Sequence, residues 1–401
     1  MSKKVLLIFL LFMFIYVSTF NIFLTEIFRI PAPIVFLTPL LILFRDETVN
    51  FEYSYEWIVF FIALLIYKLI GDENISAFLA LIINITCLII FFNYIIAYSR
   101  QRLLLSINIF VGLLFISGVL MLVDHQYPID NIRSMLAAET VIQRPSGIAT
   151  TLFSFGYQMA ALTPFLLVSS IVYKRSWILG VCLFILSICF IFFGMQRSVF
   201  VAFSFVVVPF LIFYYRAKSL LFLSGIVLLV IVGQGYVEKF SGEKNQLNIL
   251  NKSIKQADRN ENRDDLISEN LKIIAQYPFG LIFYNLTWNQ IAQHNFIYKT
   301  GHTVITSHNA YLMFITYLGP LLGLLILALL YFKISQIIWN AFKQIKLKEN
   351  AMLVCLSCSF IAVSLNSFFH NEWLLSESGP THILYFSLLQ LAKINTYKPL
   401  V

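Results

Sequence analysis

The sequence predicts an all-α polytopic integral membrane protein of about 12 transmembrane helices, and three patterns predict it. Hydrophobic residues fill 59% of the 401 positions and charged residues 12%, against about a quarter charged in a soluble domain. The charges cluster between apolar runs of roughly 18 to 24 residues, the length that crosses a hydrocarbon core of about 30 Å. Ten-residue segments of period-two alternation are absent, which excludes a β-barrel.

Met1-Ser2-Lys3-Lys4 leads into an apolar run with no small-x-small cleavage site, so the run reads as a retained first helix. Spans are expected near 4–24, 28–44, 54–70, 76–98, 104–123, 149–173, 177–195, 198–215, 219–236, 309–332, 350–369 and 380–394. Residues 1–236 then form nine spans with an exoplasmic loop at 124–148. Residues 237–308 form a large periplasmic loop, and 309–401 carry the last three spans. Clusters of Lys and Arg set orientation. Lys3 and Lys4, Arg45, Arg100 and Arg102, Lys174 and Arg175, Arg216 and Lys218, Lys343, Lys346 and Lys348, and Lys393 and Lys398 all fall on one side if every span is real. That side is the cytoplasm, and both termini are expected there. The opposite face receives both long loops and His125, His294, His302, His308, His370 and His382.

The net charge of +8 resides mostly in these turns, and no basic patch with interleaved aromatics stands apart, so nucleic-acid binding is rejected. The five cysteines, Cys87, Cys182, Cys189, Cys355 and Cys358, lie inside apolar runs and read as buried structural residues. Lys68 reads as a snorkelling lysine.

Four segments could carry chemistry on the exoplasmic side. Gln143-Arg-Pro-Ser-Gly147 makes a turn that holds Arg144 at the membrane surface, either at the headgroup level or as a donor to phosphate or sugar. Gly194-Met-Gln-Arg197-Ser198 places an arginine between two apolar runs, which is costly unless it faces a polar cavity or partner. Its guanidinium fork matches phosphate oxygens. Arg263 opens a stretch to Tyr277 with near-helical apolar spacing, acidic residues in its first turn, and Pro278 and Gly280 at its end. This predicts an amphipathic helix lying over the bundle. Thr306-Ser-His308-Asn309-Ala-Tyr311 puts a histidine, suited to proton transfer near neutral pH, at the mouth of the next span. Most aromatics lie in the spans and read as lipid-facing or core; Trp288 and Tyr284 of the large loop are the two candidates to test for sugar contact.

In this order the four segments resemble the O-antigen polymerase and O-antigen ligase superfamily. Its pattern runs Arg-x-Ser-Gly, then Ser/Gln-Arg-Ser/Gly, then Arg followed by Pro-x-Gly, then His-Asn-x-Tyr-Leu with glycines following. The chain supplies Arg144-Pro-Ser-Gly147, Gln196-Arg197-Ser198, Arg263 with Pro278-Phe-Gly280, and His308-Asn-Ala-Tyr-Leu312 with Gly319 and Gly323. It departs from the family where Ile148-Ala-Thr-Thr-Leu152 and Ile267 stand. The resemblance implies a GT-C-like fold and glycosyl transfer from an undecaprenyl-diphosphate-linked oligosaccharide on the periplasmic face of the inner membrane. Arg197 and Arg263 would stabilise the diphosphate leaving group, and His308 would serve the acceptor hydroxyl. Arg144, Asn309 and Tyr311 would contact diphosphate or glycan. No clustered carboxylates stand ready for a divalent metal, so a metal-independent reaction without cofactor is expected. Membrane lipids, a chain-length regulator and a flippase are the implied partners.

A polymerase of repeat units is the preferred expectation, and a ligase transferring glycan to lipid A–core is the alternative within the family. A lipid-linked oligosaccharide flippase or transporter is the alternative of another class. It would need a polar pathway near the midplane, whereas here the spans are poor in central charge.

Overall fold

A computed structural model describes residues 3–22, 32–46, 49–71, 74–220, 249, 263–286, 290–291, 308–370, 374–376 and 379–396. The expected span 219–236 beyond Leu220, most of the loop 237–308, His294, His302 and Trp288 lie outside the described residues.

Among the described residues the chain is helical and contains no strand. The apolar runs became helices because every backbone polar group in a bilayer must be satisfied within its own segment. In chain order they are α1 (Lys3–Phe20), α2 (Ala32–Ile42), α3 (Ser54–Leu64), α4 (Ile75–Ile90) and α5 (Arg100–Gln126). Then come α6 (Asp130–Ala137), α7 (Leu152–Val172), α8 (Trp177–Phe193), α9 (Arg197–Tyr215) and α10 (Arg263–Gln276). The last are α11 (Ala310–Leu318), α12 (Pro320–Lys343), α13 (Ala351–Asn366) and α14 (Gly379–Thr396). Both α3 and α4 end in π-helical turns, Leu65–Gly71 and Phe91–Ile96. Among the described residues 7 helices are long and apolar enough to cross a membrane, counting flanking turns: Lys3–Phe20, Ile75–Ile96, Arg100–Gln126, Leu152–Val172, Arg197–Lys218, Pro320–Lys343 and Lys348–Phe369.

The expected span 309–332 is divided in two. Gly319, at φ +80°, ends α11, and Pro320, which has no N–H to donate, opens α12. The apolar helix that follows therefore runs to Lys343. The loop 124–148 is also more ordered than a turn-rich segment would be, since it contains α6.

The chain divides into two compact units. One comprises Met1–Phe110, Asn262–Ile337 and Ser367–Val401; the other comprises Val111–Glu261 and Ile338–Asn366. In the first unit, Gly379 lets the start of α14 approach the Ser18 and Thr19 carbonyls of α1, a space that a Cβ would fill. Phe14 of α1 stacks on Phe91 at 4.2 Å, and Phe60 of α3 meets Tyr385 of α14 edge to face at 5.4 Å. Arg102, one of the orienting cations, donates to the carbonyls of Phe44 (3.1 Å) and Ile95 (2.7 Å), satisfying chain ends that helices leave open. This unit also holds a charge that the apolar runs hid. Glu56, in the first turn of α3 and fully buried, meets the Lys333 ammonium of α12 at 2.5 Å.

In the second unit α7 is the central element, almost wholly buried and packed by α8, α9 and α13. Its buried Gln158 requires protein cover, and it accepts from the Ser117 hydroxyl at 2.6 Å. Cys355 and Cys358 are buried in α13 and Cys87 in α4, as expected, but Cys182 is exposed on α8. Trp177, Ile178 and Val181 share that exposure, so this stretch of α8 faces outward and Cys182 lies on its surface.

Candidate active site

The site residues read from the sequence fall in both units, and each set is built on a different scaffold. In the second unit two of the four motifs meet at one residue, Leu152, the first residue of the central helix α7. The Gln143 side-chain carbonyl accepts from the Leu152 N–H at 3.0 Å, and the Gln196 amide donates to the Leu152 carbonyl at 2.8 Å. Arg144 and Arg197 each follow one of these glutamines, so both arginine-bearing segments are tied to the same end of α7. Gln196 fits because Gly156 offers no side chain: a Cβ there would come within 2.7 Å of the Gln196 side-chain oxygen.

The Gln143–Gly147 loop is held from beneath by an arginine that sequence reasoning passed over. Arg133 of α6 is completely buried and spends its whole fork on this task. Its Nε donates to the Gly147 carbonyl at 2.8 Å, and its Nη groups reach the Gln143 carbonyl at 3.2 Å, the Ser146 hydroxyl, and the Asp124 carboxylate at 2.7 Å. Burial pulls the guanidinium below its ordinary basicity, and the adjacent Asp124 opposes that. The Ser146 hydroxyl lies 2.8 Å from the carbonyls of Gln143 and Ala149. Gly147 adopts φ +55° with its backbone against the carbonyl and hydroxyl of Ser117. Ser117 in turn donates to Gln158 at 2.6 Å, and its oxygen accepts from the Ile148 N–H at 2.8 Å. The Ser and Gly of the motif are thus structural, and they leave Arg144 at the surface.

Arg144 is half-exposed and paired with Asp130, its Nε at 2.5 Å from the carboxylate. Asp130 also lies 3.4 Å from Arg133, so one carboxylate links the buried arginine to the exposed one. Arg197 is the first residue of α9, partly buried, in a helix whose first turn carries no acidic side chain. A cation on the positive end of a helix dipole is unfavourable by about 0.3–1 kcal/mol, and an anion bound there would receive both fields. The tight α8–α9 junction that puts it there needs Met195 at φ +56° and Gly194 against the Phe155 ring.

In the first unit the other two motifs are packed together. Gly280 of Pro278-Phe-Gly280 and Gly319, seven positions beyond Leu312, stand backbone to backbone at φ +97° and +80°, and a Cβ on either would strike the other segment's backbone. Asn270 of α10, fully buried, accepts from the Thr316 hydroxyl of α11 at 2.8 Å. The amphipathic helix expected after Arg263 is therefore present as α10 and docked on α11. Arg263 is its first residue.

His308 precedes α11 at φ +49° and is partly buried. Asn309 caps α11: its side-chain oxygen accepts from the Leu312 N–H at 3.0 Å. The next amide, Ala310, donates to the His370 carbonyl at 2.8 Å, which brings a second histidine, itself buried, alongside the His308 segment. The sequence placed His370 on this face without giving it a role. Tyr311 is nearly buried, 2.9 Å from the Tyr331 hydroxyl, with its ring 4.6 Å from that of Phe368. Asn309 and Tyr311 thus have structural duties at the mouth of α11. Tyr284, expected as a glycan contact, packs on Tyr277 at 5.0 Å and remains partly exposed.

No curated protein matches the chain. A family model described as O-antigen ligase matches residues 182–328, a stretch that holds Arg197, Arg263, His308, Asn309 and Tyr311 but not Arg144. That match supports the O-antigen ligase/polymerase superfamily for this chain, the superfamily its motifs resemble.

Proposed function

We propose that the chain polymerises undecaprenyl-diphosphate-linked oligosaccharide repeat units into O-antigen or capsular polysaccharide on the periplasmic face of the bacterial inner membrane. The family match over residues 182–328 supports the glycan transfer that polymerase and ligase share, and within it Arg197, Arg263 and His308 each open a helix or precede one. In the reaction an acceptor sugar hydroxyl attacks the anomeric carbon of the donor. The bond from that carbon to the diphosphate oxygen breaks, and the lipid diphosphate leaves with the electron pair. The hydroxyl proton passes to His308. Arg197 and Arg263 are the arginines assigned to diphosphate oxygens, where a permanently charged planar fork stabilises developing negative charge without a metal ion. Arg144 is assigned to glycan or diphosphate by exchange for Asp130, and Asn309 and Tyr311 to shaping the acceptor side. Direct displacement with inversion is the simplest course. A GT-C-like bundle of about 12 spans, cytoplasmic termini, and a chain-length regulator and flippase as partners belong to the same proposal.

A second reading, transfer of finished glycan to lipid A–core, is favoured by the description of the matching family itself. The lipopolysaccharide or capsule profile of a strain deleted for this gene separates the two. Core bearing one repeat unit marks a polymerase; bare core with polymer retained on the lipid carrier marks a ligase. An unchanged ladder overturns both.

A further inference from the structure

We propose that the stretch Ile267–Tyr284 is a membrane-surface anchor that lies in the headgroup–acyl boundary of the bilayer, at the Pro320 end of α12. α10 buries Ile273 together with the polar Asn270 and Glu269 (0% and 7% exposed), and leaves Ile267 and Leu271 outward at 38% and 55%. The turn that follows continues the outward apolar surface with Phe279 at 64% and Phe283 at 67%. Ile267, Leu271, Phe279 and Phe283 together form an outward apolar surface of the kind that marks a membrane or partner contact.

What covers this surface follows from where it is pinned. The Gly280–Gly319 contact fixes the Phe279–Tyr284 turn one residue from Pro320, where α12 begins. The first turns of α12 expose Leu321 (83%), Leu324 and Leu325, and an apolar helix of 24 residues with so little of its surface covered faces lipid. The aromatic surface is thus continuous with the lipid-facing band at its edge. The composition fits that depth: Tyr277 and Tyr284 form an edge-to-face pair, and Lys272, 3.5 Å from Glu269 and exposed, is of the type that reaches headgroup phosphates. Segments of this kind sink about 5–10 Å into the boundary. The occupant is the leaflet itself and not the polyprenyl tail of a bound donor. The inference is independent of the glycosyl-transfer reading.

The test uses the full chain in lipid nanodiscs, with Phe279→Trp and, separately, Phe283→Trp, each read as the emission added over the parent protein. With no glycolipid present, the added emission should be lost more strongly to lipids brominated near the headgroup end of the acyl chain than to lipids brominated at its terminus. Aqueous iodide should quench it weakly. Full quenching by iodide with none by either lipid overturns the proposal. So does lipid protection that develops only on adding undecaprenyl phosphate, since the surface would then be a tail site. An unchanged glycan ladder in cells lacking the protein, with lipid quenching intact, would refute the enzymatic reading and leave this one standing.

Discussion

Replacing Arg133 with methionine should open the Gln143–Gly147 loop while leaving the helices of its unit assembled. The side chain is fully buried, and its removal takes the guanidinium from the Asp124 carboxylate and the Gly147 carbonyl, while the Ser146 hydroxyl still bonds the Gln143 and Ala149 carbonyls. Breaking a buried ion pair from one side costs about 3–5 kcal/mol, chiefly because the remaining charge stays buried. The Gly147 carbonyl left without a donor costs about 1–3 kcal/mol where water cannot reach it. The loop lies near the end of α7, so water admitted on opening should relieve the second cost and keep the total near the first. At 1.4 kcal/mol per tenfold, about 3–5 kcal/mol shifts the closed-to-open ratio by roughly 140- to 4,000-fold. Amide hydrogen exchange reads this directly: protection should fall at Ile142, Gln143 and Ile148, whose N–H groups are bonded in the closed loop, and stay unchanged in the interior of α7. Asp124→Asn combined with Arg133→Met should lose less than the sum of the two single variants, because the stranded charge is gone. If Arg133→Met leaves exchange in this loop at the native rate, the loop is held by Ser117, Gly147 and Gln158 alone and the reasoning fails.

Other outcomes follow from the same contacts. Gly280→Ala and Gly319→Ala should each destabilise the first unit by more than about 1 kcal/mol, since both glycines need a left-handed φ and have backbone where the methyl would go; equal melting temperatures in detergent would contradict the contact. Asn309→Ala should cost about 1 kcal/mol through the lost cap of α11 and Asn309→Asp much less, whereas a direct role in binding glycan predicts that both variants lose activity alike in a reconstituted assay. His308→Ala and Arg197→Lys should abolish glycan assembly at unchanged protein level and melting temperature; a normal ladder from either removes that residue from the proposed chemistry. Burial raises the Glu52 carboxyl, but hydrogen bonds from Lys393 and Tyr98 and the nearby ammonium charges outweigh it, so its pKa is lowered on folding. Its contribution is then present above the unfolded value of about 4.3 and lost as pH falls through the folded one. Unfolding profiles of the parent protein and Glu52→Gln should therefore converge in acid, and a difference that persists there would refute the assignment.

Several of these positions were visible as motifs before any fold was known, while their partners were not. His308-Asn309, Gln196-Arg197 and Pro278-Phe-Gly280 stood out because residues of unusual cost or conformation sit beside apolar runs. Arg144 stood out too, yet the structure spends the rest of its motif on holding the loop, and the arginine beneath it, Arg133, carried no local signal that separates it from any other loop cation. Glu56 was missed for a related reason: one carboxylate near the end of an apolar run looks interfacial until Lys333, far along the chain, is seen beside it.

The sequence by itself determined that the chain is membrane-spanning and helical, where most helices begin and end, and the order of the site motifs. Transfer of a residue into lipid and formation of a helix depend on near neighbours, so both can be summed along the chain. Only the tertiary structure decided that Gln143 and Gln196 grip the two sides of Leu152, that Gly280 lies against Gly319, and that α10 buries Asn270 while leaving Leu271 outward. Each of those outcomes depends on packing between segments, and a helix's own periodicity gives the width of its apolar stripe but not the direction it faces.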